Sequence, residues 1–244
     1  MTRPRRLATS TSPEIAARPT VLLVPLGSTE QHGPHLPLNT DTRIAVAVAE
    51  RVAARHEDVC VAPALAFGAS GEHAGFAGTL SIGQDALELV VLELVRSAGP
   101  EWQGIVLVNG HGGNVEALAR AAATLRHEGR PVTVWSPCLE GGDTHAGHTE
   151  TSMLLALDPT CVHLELVEVG NTQPLAELLP ALRTGGLAEV TPNGILGDPT
   201  SATADDGERL LADLMATLDA AVAELLDQND AAVESAASAA GAPG

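Results

Sequence analysis

Four short apolar runs, at 21–24, 59–62, 104–108 and 132–135, recur along this chain, and the residues between them follow a different period. An unbroken apolar run of four or five residues suits a strand covered on both faces. Across 42–56, Ile44, Val48 and Val52 return every fourth position while Arg43, Glu50, Arg51 and Arg55 hold the other side, as in an amphipathic helix. The same spacing runs through Leu87, Val91, Leu94 and Val95 in 85–97. It returns from Val115 through Leu118, Ala122 and Leu125, until Gly129 and Pro131 stop it. Thr203 with Asp206 forms a capping box for a last helix, with Leu210, Leu214, Leu218, Val222 and Leu225 as its inner stripe. Strand alternating with helix predicts right-handed βαβ units, hence an α/β fold with a mainly parallel central sheet flanked by helices. Ligands of such open sheets sit beyond the carboxyl ends of the strands.

The polar clusters of the chain follow those strands. After the first run comes a turn-rich stretch, 27–41, in which Glu30, His32 and Asp41 are candidate metal ligands. Glu30 and His32 are two apart, so an extended segment points both to one side. Gly33, Pro34 and Pro37 force a loop that brings Asp41 back. Two carboxylates and an imidazole suit Zn²⁺, Fe²⁺ or Mn²⁺ better than Ca²⁺. After the third run, Asn109-Gly110-His111-Gly112-Gly113-Asn114 puts a histidine on a glycine-rich turn into a helix. That loop reads as a metal or a phosphate site, although its spacing fits neither the dinucleotide fingerprint nor the Walker loop. After the fourth run, His145, His148 and Glu150 lie close together. With no lysine or tyrosine in the chain, histidine is the natural acid or base at neutral pH. The glycine-rich connection 67–83 is too long for plain linking. Its 70–78 portion is expected to line a substrate pocket through Glu72 and His73, with Phe76 either in that pocket or anchoring the loop. Asn114 is expected to contact substrate as well. The pieces of a two-metal hydrolase are present: a bridging carboxylate, a hydroxide and a histidine to carry the proton.

A net charge of −18 argues against nucleic acid as a partner. No apolar run reaches the roughly 20 residues of a membrane-spanning helix. Cys60, Cys138 and Cys161 are too far apart for a disulfide framework or zinc knuckle. Arg3, Arg5 and Arg6 precede a Ser/Thr/Pro stretch instead of an apolar signal core, so a cytoplasmic location is expected. The expected organisation is a disordered arm over 1–18, one domain over 19–228 and a disordered tail over 229–244. Within 160–200 the pattern supports one short helix near 175–179 and one ill-defined strand.

The segments STEQHGPHLPLNTD, NGHGGN and HAGHTETS, in this order and spacing, resemble the creatininase family of metal-dependent amidohydrolases. The resemblance spans about 21–226. It implies a three-layer α/β sandwich, two divalent metal ions per chain (Zn²⁺ or Fe²⁺, or else Mn²⁺) and a homo-oligomer built from dimers. Carried over position by position, Glu30, His32, Asp41 and His111 are ligands, Asp41 bridges the two ions, and His145 is catalytic. The implied reaction is attack of a metal-bridging hydroxide on an amide carbonyl. Creatininase proper carries a glutamate ligand where this chain has Gly113, and Glu150 is expected to replace it, as ligand and as part of the catalytic machinery. SGEHAGFAGTLSIG, GGDTHAGHTETS and NGILGDPTSATA are similar to the mycofactocin-system branch of the family. That branch implies a peptidase releasing the modified C-terminal dipeptide of a ribosomally made precursor peptide. Hydrolysis of a small cyclic amide or a formamide is the alternative within the family. A non-enzymatic metal-binding module is the alternative outside it.

Overall fold

The computed structural model describes residues 3–18, 20–139 and 141–240, from 228 onward as a backbone path. Its strands are β1 (Arg5–Arg6), β2 (Thr20–Leu26), β3 (Val59–Val61), β4 (Trp102–Asn109) and β5 (Val132–Trp135). Its helices are α1 (Ser12–Ala16), α2 (Thr40–Ala53), α3 (Gln84–Arg96), α4 (Val115–His127), α5 (His148–Leu157), α6 (Leu175–Gly185), α7 (Leu187–Val190) and α8 (Ala204–Ala240). The strands form one parallel sheet in the order β1-β3-β2-β4-β5.

Alternation along the two central strands divides the core in two. Leu22, Val24, Leu26, Ile105 and Leu107 pack under α3 and α4, against Leu87, Val91, Leu118 and Leu125. Val21, Leu23, Val106 and Val108 face the other way, against Ile44, Val48 and Val52 of α2, Leu154 of α5 and Leu211, Leu214 and Leu218 of α8. The result is the expected three-layer α/β sandwich. Leu23, Leu107 and Leu118 are fully buried, so truncating any one to Ala costs about 2–5 kcal/mol.

The expectations for the chain's ends need correction. Residues 5–16 are ordered: Arg5 and Arg6 pair with Cys60 and Val61, Glu14 and Thr11 form a capping box, and Ile15 is buried. Arg6 also grips Glu50 of α2 with two hydrogen bonds of 2.6 and 2.8 Å. At the other end, α8 continues to Ala240, where a disordered tail is expected; 241–244, like Met1 and Thr2, lie outside the described residues. In 160–200 the helix is longer than expected and is followed by α7. No strand forms there among the described residues; Leu196 makes only an isolated antiparallel bridge with His145. No helix among the described residues is long and apolar enough to cross a membrane.

Candidate metal centre

The carboxyl ends of β2, β3, β4 and β5 open onto one rim, and each following connection adds side chains to it. The β2–α2 connection carries Glu30 and His32 and ends with Asp41 in the first turn of α2. A carboxylate there is favoured by the helix dipole. The turn after β4 presents His111. Gly110 permits this, because a Cβ at that position would overlap the Asp41 carbonyl. The loop after β5 presents His145, which the bridge to Leu196 pins in place. Asp143 accepts the His148 and Thr149 amides at the start of α5. Ala146, at φ 52°, is the one non-glycine left-handed residue among the described residues, and it turns its N–H onto Glu150 at 2.6 Å.

Asp41 lies at the middle of this cluster. One oxygen is 2.9 Å from His32 Nε2, and the other is 3.1 Å from His111 Nδ1 and accepts the Ser28 hydroxyl at 2.8 Å. Two donor groups therefore share it, Glu30-Asp41-His111 and His32-Asp41-Glu150, the donor atoms of each lying within 4.8 Å of one another. A third group of the same compactness is Glu30-His32-His145. Nδ1 of His32 donates to the Glu30 carbonyl at 3.2 Å, so loss of the other ring proton would free Nε2, which faces Asp41, for the centre.

Charge balance fits a cation here. Glu30 is fully buried and neither carboxylate oxygen has a hydrogen-bond partner. His73 and His111 each come within 3.2 Å of it, but not in line for a hydrogen bond. A buried carboxylate so placed costs several kcal/mol unless a positive charge meets it. With no ion bound, histidines must supply that charge. Burial disfavours the His32 imidazolium, but Asp41, Glu150 and Glu30 outweigh it and push its pKa up to about 9. His111 is likewise raised, burial being outweighed by Asp41 and Glu30. Asp41 is held well below the usual carboxylate range because His32 and His111 outweigh its burial. Burial raises Glu150 to about 7 and drops His73 to about 4. Burial, then the neighbouring His32, depresses His145 well below the ordinary histidine value.

His145 stacks against His32 at 4.3 Å between ring centroids, and its Nε2 lies 2.9 Å from the Gln31 carbonyl. Donation there leaves Nδ1 unprotonated, 3.9 Å from Glu30. Gln31 itself was not anticipated from the sequence. Its amide accepts from the Gly33 N–H and donates to the Gly194 carbonyl, with His73 Nδ1 and His145 Nε2 within 3.2 Å. Strict alternation aims Gln31 away from Glu30 and His32; a strand that ends at Leu26 does not impose it.

Glu72 and His73 line a cavity of about 720 Å³ above the centre, together with Glu30, His111 and His145. Phe76 packs against Leu178, Leu187 and Leu196, so it is an anchor. Asn114 is not the substrate contact expected of it. It is fully buried, its carbonyl accepts the Ala69 N–H at 2.9 Å, and its amide donates to Gly27 and Asn109. The side chain ties three loops together and does not reach the cavity. His148 points outward, to Ser201 at 3.2 Å and Asp206 at 3.7 Å.

A family model described as creatinine amidohydrolase matches residues 8–222. A mycofactocin precursor peptide peptidase from Mycolicibacterium smegmatis (strain ATCC 700084 / mc(2)155) is 56% identical over 218 residues, 87% of this chain and 88% of that one. The creatinine amidohydrolase of Pseudomonas putida is 30% identical over 229 residues, 81% of this chain and 86% of its own. A solved structure described as "Creatininase Mn" superposes with a TM-score of 0.75 at 28% identity, covering 91% of this chain and 98% of that one.

Proposed function

The chain belongs to the creatininase family of metal-dependent hydrolases, and on that premise we propose that it is a peptidase. Its substrate would be the modified mycofactocin precursor peptide, from which it releases the C-terminal dipeptide. The carrying observation is the sharing of Asp41 by two compact donor groups, of which Glu30 and His111 line the cavity while His32 and Asp41 are buried behind it. Glu30, Asp41 and His111 would hold one divalent ion, and His32, Asp41 and Glu150 a second. Zn²⁺, Fe²⁺ and Mn²⁺ all suit these donors. When bound, the ions polarise the amide carbonyl and lower the pKa of water.

The remaining work falls to side chains. His145, neutral and with Nδ1 free, takes the proton from the attacking water and returns it to the departing amine. Gln31 fixes the tautomers and ring positions of His145 and His73. Glu150, beside His32, is a carboxylate that burial raises to about 7, so it can hold a proton near neutral pH. A cavity of about 720 Å³ with a leucine wall suits a peptide end better than a small cyclic amide, which supports the peptidase over the small-molecule alternative. The oxygen-rich donor set, without a neighbouring cysteine, argues against a closed structural site. The peptide is the sole partner required; a homo-oligomer built from dimers and a cytoplasmic location complete the proposal.

The deciding experiment is mass spectrometry of the modified precursor peptide incubated with metal-loaded protein, with and without chelator. Release of the dipeptide, abolished by chelation, is expected. An intact peptide alongside turnover of a small cyclic amide or formamide would move the assignment to the alternative.

A further inference from the structure

The cavity has two unlike sides. One is the carboxylate and imidazole cluster; the other is α6, which presents Leu175, Leu179 and Leu182 together with Arg183. Leu175 and Leu179 are 39% and 37% exposed, one helical turn apart, on the face that looks into the cavity. Arg183 follows Leu179 by one further turn. It is the only arginine lining the cavity, and among the described residues it has no ion pair or hydrogen bond. Most other arginines of the described chain are engaged: Arg6 with Glu50, Arg43 with Asp158, Arg51 with Glu208, Arg96 with Glu128 and Arg120 with Glu88. A free guanidinium on the α6 side of a cavity that also holds Glu30 and Glu72, in a chain of net charge −18, attracts an anion.

We propose that Leu175, Leu179 and Arg183 form a substrate subsite, the leucines holding an apolar side chain of the peptide and Arg183 a carboxylate of the same peptide. This rests on the peptidase assignment above. Leu179 and Arg183 are separated by ~6 Å along the helix axis, which an extended peptide covers in about two residues at ~3.3 Å each. The recognised carboxylate therefore lies about two residues from the apolar side chain. It belongs either to the C-terminus or to an aspartate or glutamate of the peptide. Arg183 is a specificity residue in this assignment and takes no part in the chemistry.

The test uses the full chain and N-terminally labelled precursor peptide, with binding followed by fluorescence anisotropy and turnover by mass spectrometry. Arg183→Gln should raise Kd and KM by about 3- to 10-fold at low salt and leave kcat unchanged, as for a partly exposed charge pair. Arg183→Lys should restore most of the binding, and added salt should shrink the wild-type advantage. Two peptide arms identify the carboxylate: a C-terminal amide in one, Asp and Glu changed to Asn and Gln in the other. The arm that removes the recognised group should weaken binding to wild type by the same factor and leave binding to Arg183→Gln unchanged. Equal Kd for wild type and Arg183→Gln, or a loss that adds to every peptide change, overturns the subsite. Because binding is read apart from cleavage, a peptide that is held through Arg183 but never cut would sink the peptidase assignment and spare the subsite.

Discussion

Loading the centre with metal should be strongly proton-linked. In the metal-free protein burial of His32 is outweighed by Asp41, Glu150 and Glu30, which push it up to about 9, so its imidazole is protonated at pH 7.5, and His111 is raised in the same direction by Asp41 and Glu30 against its own burial. A cation bound to their nitrogens must displace those protons. The sign follows: lowering the pH favours the protonated, metal-free form, so affinity falls on the acid side. Each displaced proton weakens binding by up to about tenfold per pH unit, and His32 supplies one such proton below about pH 9. The dependence steepens as the pH falls through about 7, where burial leaves Glu150 half protonated. Competition against a chromophoric chelator at half-unit pH steps gives the slope, and calorimetry in two buffers of different ionisation enthalpy counts the protons directly. His32→Ala should remove about one of them. Release of less than half a proton per chain would refute the pairing of Asp41 with two imidazolium groups.

Asp41→Asn should lose both ions, since the amide cannot offset the repulsion between two cations, whereas Glu150→Gln should retain close to one ion per chain after mild dialysis; metal analysis distinguishes the two. His145→Ala should keep its metal and lose about 10²- to 10⁴-fold in kcat; loss of metal in parallel would make His145 a ligand, as its place in the third donor group allows. Gly113→Ala should cost metal affinity and stability together, because its Cβ would overlap the Ala69 carbonyl, Glu72 and His111. A fully loaded Gly113→Ala variant with the wild-type Tm would show that the loop yields.

What the sequence discloses depends on the range of the forces involved. β5 falls on Val132–Trp135, and α3 and α4 lie within a residue or two of their expected spans, because burial on a sheet writes its period directly into the sequence. Glu30, His32, Asp41, His111, His145 and Glu150 converge because each follows a strand of a parallel sheet. Asn114 misleads because an amide in a glycine-rich turn serves a loop as readily as a ligand. Gln31 stays hidden because its partners, His73, His145 and Gly194, are long-range in sequence. The ordering of 5–16 was available in part: Thr11 and Glu14 have capping-box spacing, but two-residue pairing of β1 with β3 leaves no period to read. Helix α6 is read only as a short helix near 175–179 because Pro180 sits inside it, although it runs on to Gly185.

The donors of the centre differ in when they become available. Glu30, His32 and Asp41 belong to one connection and leave the ribosome together, ahead of everything from β3 onward. Neither group that shares Asp41 is complete at that stage, since one waits for His111 after β4 and the other for Glu150 after β5. If these groups hold the cations proposed, tight capture would wait until the last two strands have found their register in the sheet. A chain with β4 or β5 slipped by a residue would leave Asp41 without one of its partners and stay metal-poor. Holding metal would then act as a checkpoint on assembly, separating correctly registered molecules from those that merely collapsed.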